Sequence, residues 1–185
     1  LPRGAGTSQT GQAIGEALIL DTTKHLNGLL EFDSEARTAC VQPGMVLDHL
    51  NRFLKPHGLF YPVDVSTANR ATLGGMTGNN SCGSRSIRYG NMVHNVLAID
   101  GLLADGSQAH FKTLKDRQLT DEDPALIELL KKMLALGDRE AQEIAQRFPD
   151  LLRRVGGYNI DVLTQQNPNM SHLLVGSEGT LAFFQ

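Results

Sequence analysis

Apolar residues change their spacing several times along the chain, and each change marks an element. Ala17, Leu18, Ile19 and Leu20 form one short apolar run, and Thr38, Ala39, Cys40 and Val41 a second. Both are bounded by Gly and Pro turn signals and are expected to be strands. From Val46 the spacing becomes helical: Val46, Leu47, Leu50, Phe53 and Leu54 share one face, and His57-Gly58 has the form of a C-terminal cap. Residues 62–91 are dominated by Gly, Asn, Ser and Thr and carry no periodicity, so a long, ordered loop is expected there. Residues 96–103 and 107–111 flank Ala104-Asp105-Gly106, a hairpin signal in which glycine supplies a positive φ. Residues 124–154 turn helical again. Leu126, Ile127, Leu129, Leu130, Met133 and Leu134 fall on one helix, and Ile144, Phe148, Leu151 and Leu152 on a second. Strands, then helices, then a strand indicate an α+β fold.

Composition narrows the class. A chain of 185 residues with 41% hydrophobic content can bury a real core as one domain. The net charge of −3 comes from interspersed acids and bases with no basic run, so nucleic acid is not an expected partner. No apolar stretch approaches the roughly 20 residues that span a bilayer, and the opening residues are not a signal sequence. A cytoplasmic, at most membrane-peripheral, protein is expected. Cys40 and Cys82 make neither a disulfide framework nor a metal cluster. His25, His49, His57, His94, His110 and His172 show no metal-ligand spacing, and no metal is assigned. A glycine-rich loop with no strand before it, and an apolar strand beginning at residues 181–185, suggest that both ends are cut.

Three loops carry candidate chemistry. Arg3-Gly4-Ala5-Gly6-Thr7-Ser8 and the residues to Gln12 put glycines beside hydroxyls, so that successive backbone amides can converge on phosphate oxygens. A pyrophosphate would be held there largely by uncharged donors. The dinucleotide pattern G-x-G-x-x-G fails at Gln9, and the P-loop fails for want of Gly-Lys-Ser/Thr. The second loop runs from Thr72, Leu73, Gly74 and Gly75 through Asn79, Asn80, Cys82 and Gly83, with Tyr89 and Gly90 just beyond. In the third, Leu174-Val175-Gly176-Ser177-Glu178-Gly179-Thr180-Leu181, a lone carboxylate lies between glycines. Three such loops favour one large bound cofactor over isolated surface turns.

In order, Arg3-Gly4-Ala5-Gly6-Thr7-Ser8, Pro62-Val63-Asp64-Val65-Ser66, Leu73-Gly74-Gly75 with Asn79, Asn80 and Gly83, Tyr89-Gly90, and Gly176-Ser177-Glu178-Gly179-Thr180-Leu181 resemble the signature of FAD-linked oxidases with the vanillyl-alcohol-oxidase (PCMH) type of flavin domain. The resemblance is closest to the branch of glycolate oxidase subunits and D-lactate or D-2-hydroxyglutarate dehydrogenases, and Arg153-Arg154-Val155-Gly156-Gly157-Tyr158-Asn159 is similar to a stretch of that branch.

The resemblance implies an α+β FAD-binding domain, a mixed or antiparallel sheet flanked by helices, divided into residues 1–116, a helical insert over 117–160, and a return to the sheet over 161–185. It implies that Pro2, Arg3, Gly4, Ala5, Gly6, Thr7 and Ser8 hold the FAD pyrophosphate together with Pro62 and the stretch from Ser66 through Thr72 and Leu73 to Gly75. Asn79, Asn80, Ser81, Cys82, Gly83 and the strand entrance over residues 178–184, with Glu178 and Gly179, would line the adenosine and flavin portions, and Tyr89 and Gly90 would bind the cofactor beside them. Where some relatives carry a histidine that binds flavin covalently, this chain has Thr7, which implies noncovalent FAD. A separate cap would supply the contacts to a hydroxy-acid substrate, and an unidentified acceptor would take the electrons. Glu178 reads either as a base or as a residue that positions backbone around FAD. Arg153 and Arg154 read either as a substrate-carboxylate clamp or as cations at a helix end. Two other functions remain open: a flavin reductase resembling the UDP-N-acetylenolpyruvoylglucosamine type, and a nucleotide- or phosphate-binding module without redox chemistry.

Overall fold

The computed structural model describes residues 1–119 and 123–185. Of the helical insert expected over residues 117–160, residues 120–122 lie outside the described residues. The chain is α+β, with three small sheets and four α-helices among the described residues. β1 (Pro2–Arg3) pairs in parallel with β2 (Leu20–Asp21). β3 (Leu29–Asp33) pairs antiparallel with β4 (Thr38–Val41), and a register irregularity between Leu29 and Glu31 interrupts the pairing. The hairpin strands β5 (Ile99–Leu102) and β6 (Gln108–Phe111) take β7 (Phe183–Phe184) alongside β5, giving the order β6-β5-β7. The hairpin turns at Gly106, φ 85°, where Asp105 Oδ1 accepts from the backbone amide and the hydroxyl of Ser107. Ile99, Ala109 and Phe111 face the core, the alternation that a half-covered hairpin requires.

α1 (Leu47–Leu54) buries Leu47, Leu50 and Leu54 and turns Phe53 outward, where its ring meets Phe32 edge-on at 5.2 Å. Asp48 in its first turn and Arg52 in its last suit the helix dipole. The stretch expected as a loop contains two helices, α2 (Leu73–Asn79) and α3 (Ser86–Tyr89). Three glycines make α2 intrinsically poor as a helix, and its close contacts explain why it forms. A Cβ on Gly74 would lie 2.4 Å from Pro43 Cβ, one on Gly75 would lie 3.0 Å from Thr72 Oγ1, and one on Gly78 would lie 3.8 Å from Glu178 Cα. Thr72 caps the helix by accepting from the Gly75 amide at 3.3 Å, and Asn80 ends it at φ 51°.

The two helices expected between residues 124 and 154 are one, α4 (Pro124–Arg147). Asp123 caps it with Pro124 at its first position, and Leu126, Leu130, Leu134, Gly137 and Ile144 are buried along it. Gly137 does not break the helix. It lets the backbone approach the 3₁₀ turn Ile160–Thr164, since a Cβ there would lie 2.4 Å from Leu163 Cβ. Leu151 and Leu152 lie beyond the helix and are exposed. One hydrophobic cluster joins α1, α2, α4 and the β5–β6 hairpin. Among the described residues no helix is long and apolar enough to cross a membrane.

Candidate functional site

The first loop, α2 and the turn after it, the segment 65–67 and the approach to β7 enclose a cleft of about 350 Å³, a size within the range of roughly 300–1,000 Å³ usual for small-molecule sites. The loop is anchored at its start. Leu20 N–H donates to Leu1 O and Thr22 N–H to Arg3 O, extending the β1–β2 pairing. Gly4 then packs so closely on α2 that a Cβ would lie 2.1 Å from Thr72 Oγ1. Past that contact the chain turns away. The backbone amides of Ala5, Gly6, Thr7 and Ser8 donate to no described residue, and all four residues line the cleft. Gly6, at φ 65°, takes the left-handed conformation that bends the row. Successive free amides of this kind have the chemistry that suits an anion.

Arg3 also lines the cleft, but its charge is already met. Its Nη2 lies 2.8 Å from Asp21 Oδ2, and the Thr23 hydroxyl and Arg3 together pull the Asp21 carboxyl down to about 2. The donor set at the anion end is therefore backbone amide and hydroxyl, with one neutralised arginine. Val65, Met76, Ala182, Phe183 and Phe184 give the same cleft an apolar lining. A polar, phosphate-suited end and an apolar wall suit a cofactor that joins a pyrophosphate to a flat ring, so the residues present fit FAD.

The third loop reaches the cleft from the far end of the sequence. Glu178 sits at φ 51°, its amide donates to Gly78 O at 2.9 Å, and its Oε1 accepts from Asn79 Nδ2 at 2.9 Å. Ser81 Oγ in turn donates to Asn79 Oδ1. A Cβ on Gly179 would lie 2.5 Å from Pro2 Cγ, so the third loop also rests on the first.

The structure thus brings residues 2–8, Ser66, Thr72, Gly74, Gly75, Asn79, Cys82, Glu178 and Gly179 to one cleft. Pro62, Leu73, Asn80, Gly83, Tyr89 and Gly90 do not line it. Leu73 is in the core. Asn80, 1% exposed, donates to Arg154 O and accepts from the Val93 amide. Gly83 leaves room for Asp64, whose backbone oxygen a Cβ would meet at 2.0 Å. Burial tends to raise the Asp64 carboxyl, but the Ser84 hydroxyl and Arg85 amide hold it below the ordinary range. Tyr89 stacks edge-on against Phe60, and Gly90 makes space for His94. His94 Nδ1 accepts from the Asn91 amide, so that ring is engaged away from the cleft. Arg154 is paired with Asp161, whereas Arg153 is exposed and reaches Gly83 O. Neither arginine lines the cleft. Val65 and Met76 also line the cleft and were not selected from the sequence, whereas Thr67, Ser81 and residues 182–184 fall within the stretches 66–75, 79–83 and 178–184 expected there. The apolar side chains of Val65 and Met76 carry no chemical flag until α2 is placed.

A family model described as the FAD binding domain matches residues 1–112. The chain belongs to this family. The FAD-binding domain is 36% identical over 192 residues to a D-2-hydroxyglutarate dehydrogenase of Haemophilus influenzae, covering 98% of this chain and 19% of that protein. It is 38% identical over 107 residues to glycolate oxidase subunit GlcD of Bacillus subtilis, covering 57% of this chain and 23% of that protein. A solved alkyldihydroxyacetonephosphate synthase superposes with a TM-score of 0.60 at 18% identity, over 100% of this chain and 24% of that one, and shares its fold. The chain spans about a fifth of the length of the D-2-hydroxyglutarate dehydrogenases that match nearly all of it.

Proposed function

We propose that this chain is the FAD-holding portion of an oxidoreductase that oxidises 2-hydroxy acids. The observation that carries the reading is the row of free amides from Ala5 to Ser8, facing α2 across a cleft in a domain of the FAD-binding family. Similarity to proteins named for D-2-hydroxyglutarate and glycolate supports the substrate class. Residues 2–8 hold the pyrophosphate, with Ser66, Thr72, Gly74 and Gly75 on the opposite side. Asn79, Cys82, Glu178 and Gly179 line the cofactor beyond it. Pro62, Leu73, Asn80, Gly83, Tyr89 and Gly90 act through packing and leave the cofactor itself to others. Thr7 binds through its hydroxyl and backbone, and FAD is held noncovalently.

Bound FAD supplies a two-electron acceptor for the hydrogen on the hydroxyl-bearing carbon. The protein's own part is binding and orientation. Backbone amides fixed in the loop would reorganise little if they met the phosphates. The apolar wall of Val65, Phe183 and Phe184 keeps water from one side of the cleft. The base that takes the hydroxyl proton and the clamp on the substrate carboxylate are contributed by a cap outside this segment. A separate redox partner accepts the electrons, and the protein works in the cytoplasm.

A chimera tests the reaction class. This chain replaces the matching segment of the Haemophilus influenzae relative, and the product is mixed anaerobically with D-2-hydroxyglutarate. Bleaching of the flavin's visible absorption is expected. A chimera that binds FAD, reacts with dithionite and stays coloured with D-2-hydroxyglutarate, D-lactate and glycolate would overturn the hydroxy-acid assignment.

A further inference from the structure

We infer that Arg154, which does not line the cleft, is a positioning residue for it, acting through the backbone carbonyl that it holds in place. The inference rests on the FAD-binding reading and adds the means by which α4 and the segment after it control the site.

After α4 ends at Arg147, the chain runs back toward α2 as an irregular strap. Arg154 fixes this strap on two sides. Its guanidinium lies 2.7 Å from the Asp161 carboxylate and 4.7 Å from the centre of the Phe148 ring. A planar cation held both by an ion pair and by an aromatic face has little rotational freedom left. Its backbone oxygen is thereby presented to two buried amides: Asn91 Nδ2 donates to it at 3.3 Å and Asn80 Nδ2 at 3.5 Å. Asn91 is 0% and Asn80 1% exposed, so water cannot replace that acceptor without opening the structure.

Asn80 and Asn91 bracket the turn that follows α2. Asn80 ends α2 in the left-handed conformation and accepts from the Val93 amide at 3.1 Å. Met92 N–H donates to Ser81 O at 3.0 Å, closing the turn. Asn79, Ser81 and Cys82 of this turn line the cleft. Loss of the Arg154 anchor withdraws one carbonyl from two buried donors and loosens these cleft residues, while α1 and its core contacts are untouched. The side chain's commitment to Asp161 and Phe148 also accounts for an arginine in this motif without any substrate contact.

The test uses Arg154→Ala, with Phe148→Leu as a milder variant that removes the ring and leaves the ion pair. Hydrogen exchange is measured on the protein without FAD, and FAD affinity separately by fluorescence titration. Exchange at Ser81, Met92 and Val93 is expected to rise about tenfold in Arg154→Ala, the factor associated with losing roughly one buried hydrogen bond. Exchange at Leu50 should stay at its original rate, and FAD affinity should fall by a similar factor. Arg154→Lys, which keeps the charge, should recover part of both effects. Should Arg154→Ala fail to fold, Phe148→Leu decides by the same local pattern at reduced size. Equal acceleration at Leu50 would make Arg154 a general stabilising residue, and unchanged exchange at Ser81 and Val93 would show that the carbonyl needs no anchor; either result overturns the inference. Failure of the unsubstituted protein to bind FAD would instead overturn the functional reading, and the exchange data do not depend on it.

Discussion

Replacing Gly4 with alanine would set a methyl group 2.1 Å from Thr72 Oγ1 and 3.4 Å from Thr72 Cβ. Gly4 does not take a left-handed backbone conformation, so alanine meets no torsional penalty and the contact alone decides the outcome. Thr72 is 2% exposed and its hydroxyl caps α2 through the Gly75 amide. The hydroxyl can make room only by giving up the cap, which costs about 1 kcal/mol. Crowding in a packed region adds about 1–3 kcal/mol. The two costs overlap, because moving the hydroxyl relieves part of the crowding, and a net loss of about 2 kcal/mol is expected. For a chain of this length that lowers Tm by about 4–8 °C. Thr72→Ala alone should cost about 1 kcal/mol. The double variant Gly4→Ala/Thr72→Ala should cost little more than Thr72→Ala, because the atom that clashes is gone. Urea denaturation of the three variants measures this coupling, expected to exceed about 1 kcal/mol. Additive losses, or a Gly4→Ala protein as stable as the original, would refute the close packing of the first loop on α2.

Other predictions follow from the same geometry. Gly137→Ala in α4 should destabilise by about 1–2 kcal/mol in thermal melts, because contact with Leu163 outweighs a helix-propensity gain of about 1 kcal/mol; a raised Tm would contradict this. The Asp21 carboxyl, lowered to about 2 when folded from an ordinary value of 3.8, contributes stability above pH 4 that is lost as pH falls toward 2. In urea titrations the difference between the original protein and Asp21→Asn should therefore be present near neutrality and shrink across that interval. Gly6→Val places a branched side chain at φ 65° among the free amides and should lower FAD affinity at least about tenfold, read by fluorescence titration.

Legibility in the sequence followed physical causes. α1 and the β5–β6 hairpin were readable because local spacing and turn chemistry agree with where the side chains end up. β4 was readable from its short apolar run and turn signals, although Ala39 and Cys40 end up exposed. β3 was missed, since its apolar order is broken by the register irregularity at Leu29 and Glu31. α2 could not be read as a helix from Leu73-Gly74-Gly75-Met76-Thr77-Gly78. Gly74, one of the glycines that weaken it locally, is what lets Pro43 pack against it. The two apolar groups of residues 124–154 were read as two helices, whereas α4 runs on through Gly137, where its backbone packs against Leu163. At the cleft, the glycine clusters pointed to its three loops, although Gly83 and Gly90 serve Asp64 and His94. Phe183 and Phe184 were reached only as part of the strand entrance over residues 178–184, and Met76, which differs in no local way from core residues, becomes a neighbour of the first loop only through tertiary contacts.

Noncovalent FAD in this cleft is read out by the visible absorption spectrum of the protein after incubation with FAD, gel filtration and acid precipitation. Flavin absorption that co-elutes with the protein and is released to the supernatant on precipitation is the predicted result. Colourless protein fractions, or flavin that stays with the precipitate, would contradict it.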